Sequence, residues 1–150
     1  LGVELNYQQQ FSMLPGLLRG LGLSLSYTWT DSEAEVFDRS EKVPFFLQSK
    51  HIGNAAVYYE LGDLELRLAY AYRSEYLDSI GDEAAQDLYV DDHGQLDFKA
   101  RYAFTEEVHG FLQLQNLTEE PLVYFSGNSS RLAEYEFYSW SMLAGVTVKF

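Results

Sequence analysis

In stretch after stretch of this chain, apolar and polar side chains alternate residue by residue for nine or more positions. From Leu21 to Trp29, Leu21, Leu23, Leu25, Tyr27 and Trp29 alternate with Gly22, Ser24, Ser26 and Thr28. From Leu64 to Arg73, Leu64, Leu66, Leu68, Tyr70 and Tyr72 alternate with Glu65, Arg67, Ala69, Ala71 and Arg73. The same holds for Gln95 to Phe104, with Phe98, Ala100 and Tyr102 on the apolar side, and for Tyr138 to Phe150, with Trp140, Met142, Val146 and Val148. A period of two places successive side chains on opposite faces of a pleated ribbon, and a helix cannot sustain it. The pattern predicts an all-β, antiparallel sheet with seven strands near 2–12, 21–33, 50–61, 64–76, 94–105, 108–118 and 134–150.

Three features distinguish a membrane wall from the half-buried sheet of a soluble protein, which also alternates. The segments are long: soluble strands average about 5–6 residues, and a tilted strand crossing hydrocarbon needs about 9–11. The four clearest apolar faces carry no charged residue, as expected where a Lys or Arg facing mid-membrane costs about 2–4 kcal/mol. Aromatics, 16% of the chain, gather towards the segment ends. Tyr27, Trp29, Tyr70, Tyr72, Tyr138 and Trp140 lie near the long connections, and Phe11, Tyr59, Tyr102, Phe104 and Phe150 near the short ones. Two such girdles suit the headgroup levels of a bilayer. The expected lipid-facing set is Leu23, Leu25, Tyr27, Trp29, Leu66, Leu68, Tyr70, Phe98, Tyr102, Trp140, Val146 and Val148. No run of apolar residues is long enough for a membrane helix, which leaves strands as the spanning element.

The connections also alternate. Gly62-Asp63, Thr105-Glu106-Glu107 and the stretch from Met13 to Gly20 are short; 34–49, 77–93 and 119–133 are long and rich in acids, Ser and Gly. Short turns on one edge and long loops on the other match a bacterial outer-membrane barrel, with the long loops outside and Phe150 on the periplasmic side. Bacterial barrels have an even strand count, and an open sheet in lipid leaves its edges unpaired. Residues 1–150 are therefore expected to be a fragment, an up-and-down transmembrane β-barrel segment whose earlier strands precede Leu1.

Several stretches resemble the C-terminal barrel region of TonB-dependent outer-membrane receptors. They are Gly2-Val3-Glu4-Leu5-Asn6-Tyr7, the run from Ala69 to Leu77 containing Tyr72-Arg73-Ser74-Glu75-Tyr76, Gln115-Asn116-Leu117-Thr118-Glu119-Glu120-Pro121, and Tyr135 to Phe150. The resemblance covers essentially the whole chain and implies the last seven strands of a 22-stranded barrel. It further implies an N-terminal plug and earlier strands in the same polypeptide, and a TonB complex that powers uptake of a siderophore, cobalamin or carbohydrate. Phe150 looks like the terminal aromatic read by the barrel-assembly machinery. The stretch from Arg73 to Leu77 is reminiscent of a subgroup linked to carbohydrate uptake. Expected surroundings are outer-membrane lipid and lipopolysaccharide.

The loops hold two acidic groups, Asp31, Glu33, Glu35, Asp38 and Glu41, then Glu75, Asp78, Asp82, Glu83, Asp87, Asp91 and Asp92. Ligand capture or Ca²⁺ binding would use such carboxylates, but their spacing matches no EF-hand, and a solvated surface bridged to lipopolysaccharide by divalent ions is the favoured expectation. His51, His93 and His109 are too dispersed for a metal centre, and no cofactor is expected. Tyr89, Tyr124, Phe125 and Tyr135 are the aromatics that would stack on a ligand or pack the loops. A net charge of −13 argues against nucleic acid. No nucleophile elbow, phosphate loop or paired catalytic carboxylates are placed for chemistry, so an enzyme is not expected. A receptor-transporter wall is the leading expectation; a passive porin and a soluble carbohydrate-binding β protein are the alternatives.

Overall fold

A computed structural model describes residues 1–36 and 39–150. Its main element is a seven-stranded antiparallel sheet of β1 (Gly2–Gln10), β2 (Leu21–Thr30), β3 (His51–Leu61), β4 (Leu64–Arg73), β7 (His93–Ala103), β8 (Val108–Gln115) and β11 (Ser141–Val148), in that order. Four shorter strands, β5 (Tyr76–Ser79), β6 (Leu88–Val90), β9 (Leu122–Ser126) and β10 (Leu132–Glu136), form a second antiparallel sheet in the order β10-β9-β6-β5. This is the all-β segment of barrel wall that the alternation predicts, and the sheet is open, with β1 and β11 at its two edges.

The register makes the alternation continuous across the wall. Gln9, Leu23, Val57, Leu68, Phe98, Leu114 and Met142 form one cross-strand row. The neighbouring row on the opposite face is Gln10, Gly22, Tyr58, Arg67, Lys99, Gln113 and Leu143. A slip of one residue in any strand would move its whole apolar set to the other face, and no strand has slipped. The Gly62-Asp63 turn helps fix this: Leu61 pairs Leu64, and Gly62 has φ 61°, the glycine-first arrangement of a type II′ hairpin. At the Thr105 turn, the Thr105 hydroxyl oxygen accepts from the backbone N–H of Glu107 (3.2 Å) and Val108 (3.1 Å).

Two expectations are corrected. The last segment, 134–150, is not one strand: 132–136 pairs with β9 in the second sheet, residues 137–140 form a connector, and the wall strand begins only at Ser141. Tyr135 pairs Val123, so its alternation belongs to the loop sheet. Likewise 77–93 and 119–133 are not irregular loops but hairpins, β5-β6 and β9-β10, joined through Tyr89↔Phe125 and its neighbours. The continuous apolar run Leu122-Val123-Tyr124-Phe125 was the available signal, since a short apolar run bounded by turn residues marks a strand buried on both faces.

Large rings lie over glycines in the wall. A Cβ on Gly22 would meet the Tyr58 ring at 2.1 Å, and one on Gly145 would meet the Phe111 ring at 2.6 Å. Both pairs are cross-strand partners on the polar face. The ring covers backbone that a bare glycine would leave open, a recognised way to pin register.

Candidate functional site

The two faces of the wall differ most in charge. Every Asp, Glu, Lys and Arg within the seven wall strands (Glu4, Glu60, Glu65, Arg67, Arg73, Asp97, Lys99 and Arg101) stands on one face. There they pair across strands: Arg101 donates to Glu65 at 3.4 Å, and Asn54 donates to Ser26 at 3.1 Å. The opposite face is apolar and carries Leu23, Leu25, Tyr27, Trp29, Leu66, Leu68, Tyr70, Phe98, Tyr102, Val146 and Val148. Trp140 immediately precedes β11, and Phe150 lies beyond its end, fully exposed.

At the long-loop edge, two motifs act as joints between wall and loops. Where β8 ends, Asn116 adopts φ 55° and is 8% exposed. Its amide nitrogen donates to the carbonyls of Glu120 (3.2 Å) and Tyr138 (3.0 Å). Its side-chain oxygen accepts from the Glu120 N–H (2.9 Å) and the Thr118 hydroxyl (3.3 Å). Its own N–H donates to the Asp97 carboxylate at 3.0 Å. Asn tolerates a left-handed backbone and can satisfy four partners, so few other residues suit this corner. Where β4 ends, the Arg73 guanidinium covers the Tyr76 ring at 4.7 Å and donates to the Asp91 carbonyl at 3.2 Å. Ser74 accepts from the His51 N–H, and its carbonyl accepts from Ser49 at 2.8 Å.

Above these joints the three long loops pack into one layer. Its interior holds Val43, Leu77, Val90 and Phe125, the last two at 0% and 4% exposure. Leu47 N–H donates to the Leu77 carbonyl at 2.7 Å, tying the first loop to the second. Arg39 grips Asp87 through both nitrogens, at 2.7 and 2.9 Å. Burial pushes the Asp87 carboxyl up, but the Arg39 hydrogen bonds and the Gly81 N–H more than offset this and hold it below the ordinary carboxylate range. Asp87, expected on a solvated acidic surface, is thus 2% exposed and structural. Nothing in the spacing linked it to Arg39, 48 residues away. Asp38, in the first acidic group, lies outside the described residues.

Of the four loop aromatics expected either to stack on a ligand or to pack the loops, Phe125 is closed off and stacked on Tyr89 at 5.4 Å, a packing position. Tyr89 and Tyr124 are half-buried, and Tyr135 is exposed. Between the first and second loops lies a cleft of about 420 Å³, whose lining includes Ser32, Gln48, Glu75, Tyr76 and Tyr89. The sequence had singled out Tyr89 as an aromatic that would stack on a ligand or pack the loops, and Glu75 only as one of an acidic group; Ser32, Gln48 and Tyr76 it had not marked as ligand contacts. Sixteen of the 23 acidic residues and only four of the ten basic ones lie in 31–50, 74–92 and 116–140, which leaves the strands and short turns near neutrality. His51 hydrogen-bonds the Tyr27 hydroxyl at 2.8 Å, and His93 donates to the Pro121 carbonyl at 3.3 Å, both at the long-loop ends of strands.

No curated protein and no solved structure matches the chain significantly. A family model described as TonB dependent receptor-like, beta-barrel matches residues 1–117. With most of the chain covered, and with a one-sided antiparallel wall in register across all seven strands, the chain belongs to the TonB-dependent receptor β-barrel family, a family of outer-membrane transport proteins.

Proposed function

We propose that the seven-stranded sheet is part of the wall of an outer-membrane receptor that takes up a scarce solute with energy from the TonB complex. The observation that carries it is the placement of every Asp, Glu, Lys and Arg of the wall strands on one face, opposite a predominantly apolar face that holds none of them. Strands of 8 to 11 residues, tilted about 35–45°, rise about 19–30 Å, which brackets an apolar band about 25 Å tall. On this reading Leu23, Leu25, Leu66, Leu68, Phe98, Val146 and Val148 meet acyl chains. Tyr27, Trp29, Tyr70 and Trp140 sit at the outer headgroup level, and Tyr102 at the inner one. The loop layer faces lipopolysaccharide and solute, and Phe150 guides the barrel-assembly machinery. Further strands complete the open edges at β1 and β11, because unpaired edges in lipid cost several kcal/mol per backbone group.

Arginine substitutions in the full-length receptor test the reading. Leu66→Arg and Val146→Arg each put a charge on the apolar face, where an arginine costs about 2–4 kcal/mol at mid-depth and less towards the headgroup levels. Both should sharply reduce folded receptor in outer-membrane fractions, whereas Arg67→Ala, on the polar face, should not. Equal yields of all three would reverse the facial assignment. Loss of solute uptake in cells lacking the TonB complex tests the energy source, and unchanged uptake would favour a passive channel.

A further inference from the structure

We propose that the cleft between the first and second loops is a ligand subsite for a neutral, polyhydroxylated solute, an oligosaccharide; this assignment rests on the uptake reading above. At about 420 Å³, the cleft is in the size range of small-molecule sites. Two tyrosines in its lining are each braced by a neighbour. Tyr76 lies under the Arg73 guanidinium at 4.7 Å, and Tyr89 stacks on Phe125 at 5.4 Å with planes 7° apart. Rings locked in this way give an aromatic surface for the C–H faces of a sugar with little ordering cost on binding.

The polar lining fits hydroxyls better than charges. Ser32 donates to the Gln48 side-chain oxygen at 2.6 Å, and among the described residues the Gln48 amide nitrogen has no partner. The hydroxyls of Tyr76 and Tyr89 likewise have no partner among the described residues, and Glu75 is an acceptor without a cation beside it there. The lysines at the rim are already matched: Lys42 to Glu33 at 3.5 Å and Lys50 to Asp31 at 3.1 Å. An anionic solute would meet no free cation in this lining, inside loops that hold sixteen of the chain's 23 acids. Fields from such a layer extend about 8 Å at physiological salt, enough to cover the cleft. With both lysines matched and Glu75 left over, the cleft is slightly acidic; it repels anions and offers donors, acceptors and ring faces, which is the chemistry of sugar recognition.

The test uses the full-length receptor in detergent against an array of neutral and charged oligosaccharides, with ferric catecholate and ferric hydroxamate complexes as further probes. A neutral oligosaccharide should bind, and Tyr89→Ala should weaken it about tenfold. Tyr89→Ala also removes a loop stack, so Gln48→Ala and Glu75→Gln, at positions outside the packed interior, provide the second measurement. Each should weaken binding about threefold to tenfold, while Leu132→Ala, exposed on the third loop and outside the cleft lining, leaves it unchanged. Binding of only the ferric complexes or charged glycans, binding indifferent to all three cleft variants, or no glycan bound at all would each overturn the subsite. A full-length receptor absent from the outer membrane would instead overturn the uptake reading on which it rests.

Discussion

Replacing Asn116 by Ala should unfasten the loop layer from the wall. The side chain makes four hydrogen bonds between 2.9 and 3.3 Å to three residues, Thr118 and Glu120 in the turn that follows it and Tyr138 in the connector before β11. A neutral bond of this kind contributes about 0.5–1.5 kcal/mol net, and more where its partner is left buried. Glu119 and Leu117 are exposed, so water can recover some of the stranded groups, and about 2–4 kcal/mol is the expected loss from bonding. Alanine held at φ 55° adds about 1 kcal/mol, because only Gly, Asn and Asp visit that region cheaply. Two controls separate these contributions. Asn116→Gly keeps the backbone easy and loses the bonds, so it should fall about 1 kcal/mol short of the alanine variant. Asn116→Asp keeps the acceptor, loses both donors and places a carboxylate near Asp97, so it should be at least as damaging as glycine. Urea titration of the full-length receptor in detergent gives the stability, and limited proteolysis within 119–131 reports the freed hairpin. An alanine variant within about 0.5 kcal/mol of the parent, with its hairpin still protected, would refute the account of this corner as a bonded joint.

Two further outcomes follow from geometry already described. Because Asp87 is held below the ordinary carboxylate range, its ion pair stabilises the closed loop layer fully above about pH 4 and is lost as pH falls through the folded value. Protease nicking of the loops should therefore rise only in acid, and Asp87→Asn should abolish that pH dependence and raise nicking at neutral pH. In the wall, Gly22→Val drives a branched side chain into the Tyr58 ring and should cost about 1–3 kcal/mol in urea titrations. Gly22→Val combined with Tyr58→Ala should recover much of it, and a purely additive double variant would show that the ring is not what the glycine accommodates.

The seven wall strands were legible because one requirement governs them, a face without charge, and it repeats at every second residue. Strand ends were less legible: β4 stops at Arg73 and not at 76 because Ser74 turns to bond His51 and Ser49. The loop sheet was hidden for a different reason. Strands of three to five residues are too short to display a period, and the pairing that joins the two hairpins into one sheet links segments more than thirty residues apart, Tyr89 with Phe125. Counting acids along the chain likewise cannot tell a solvated Asp82 from a gripped Asp87, since the difference lies in a guanidinium brought over by a separate loop. The cleft shares this limit, because Gln48 and Tyr89 come to line one cleft only after the first and second loops have packed.

Among the described residues, the most enclosed side chains, Leu77 and Val90, belong to the loop layer and not to the wall. Drift among descendants should follow that inversion. If the apolar wall positions face lipid as proposed, they can exchange Leu for Val, Ile or Phe with little penalty, since fluid acyl chains impose no fixed shape on them. Positions inside the loop layer must keep their volumes, so surface loops, ordinarily the fastest-changing parts of a protein, should here carry its slowest-changing residues.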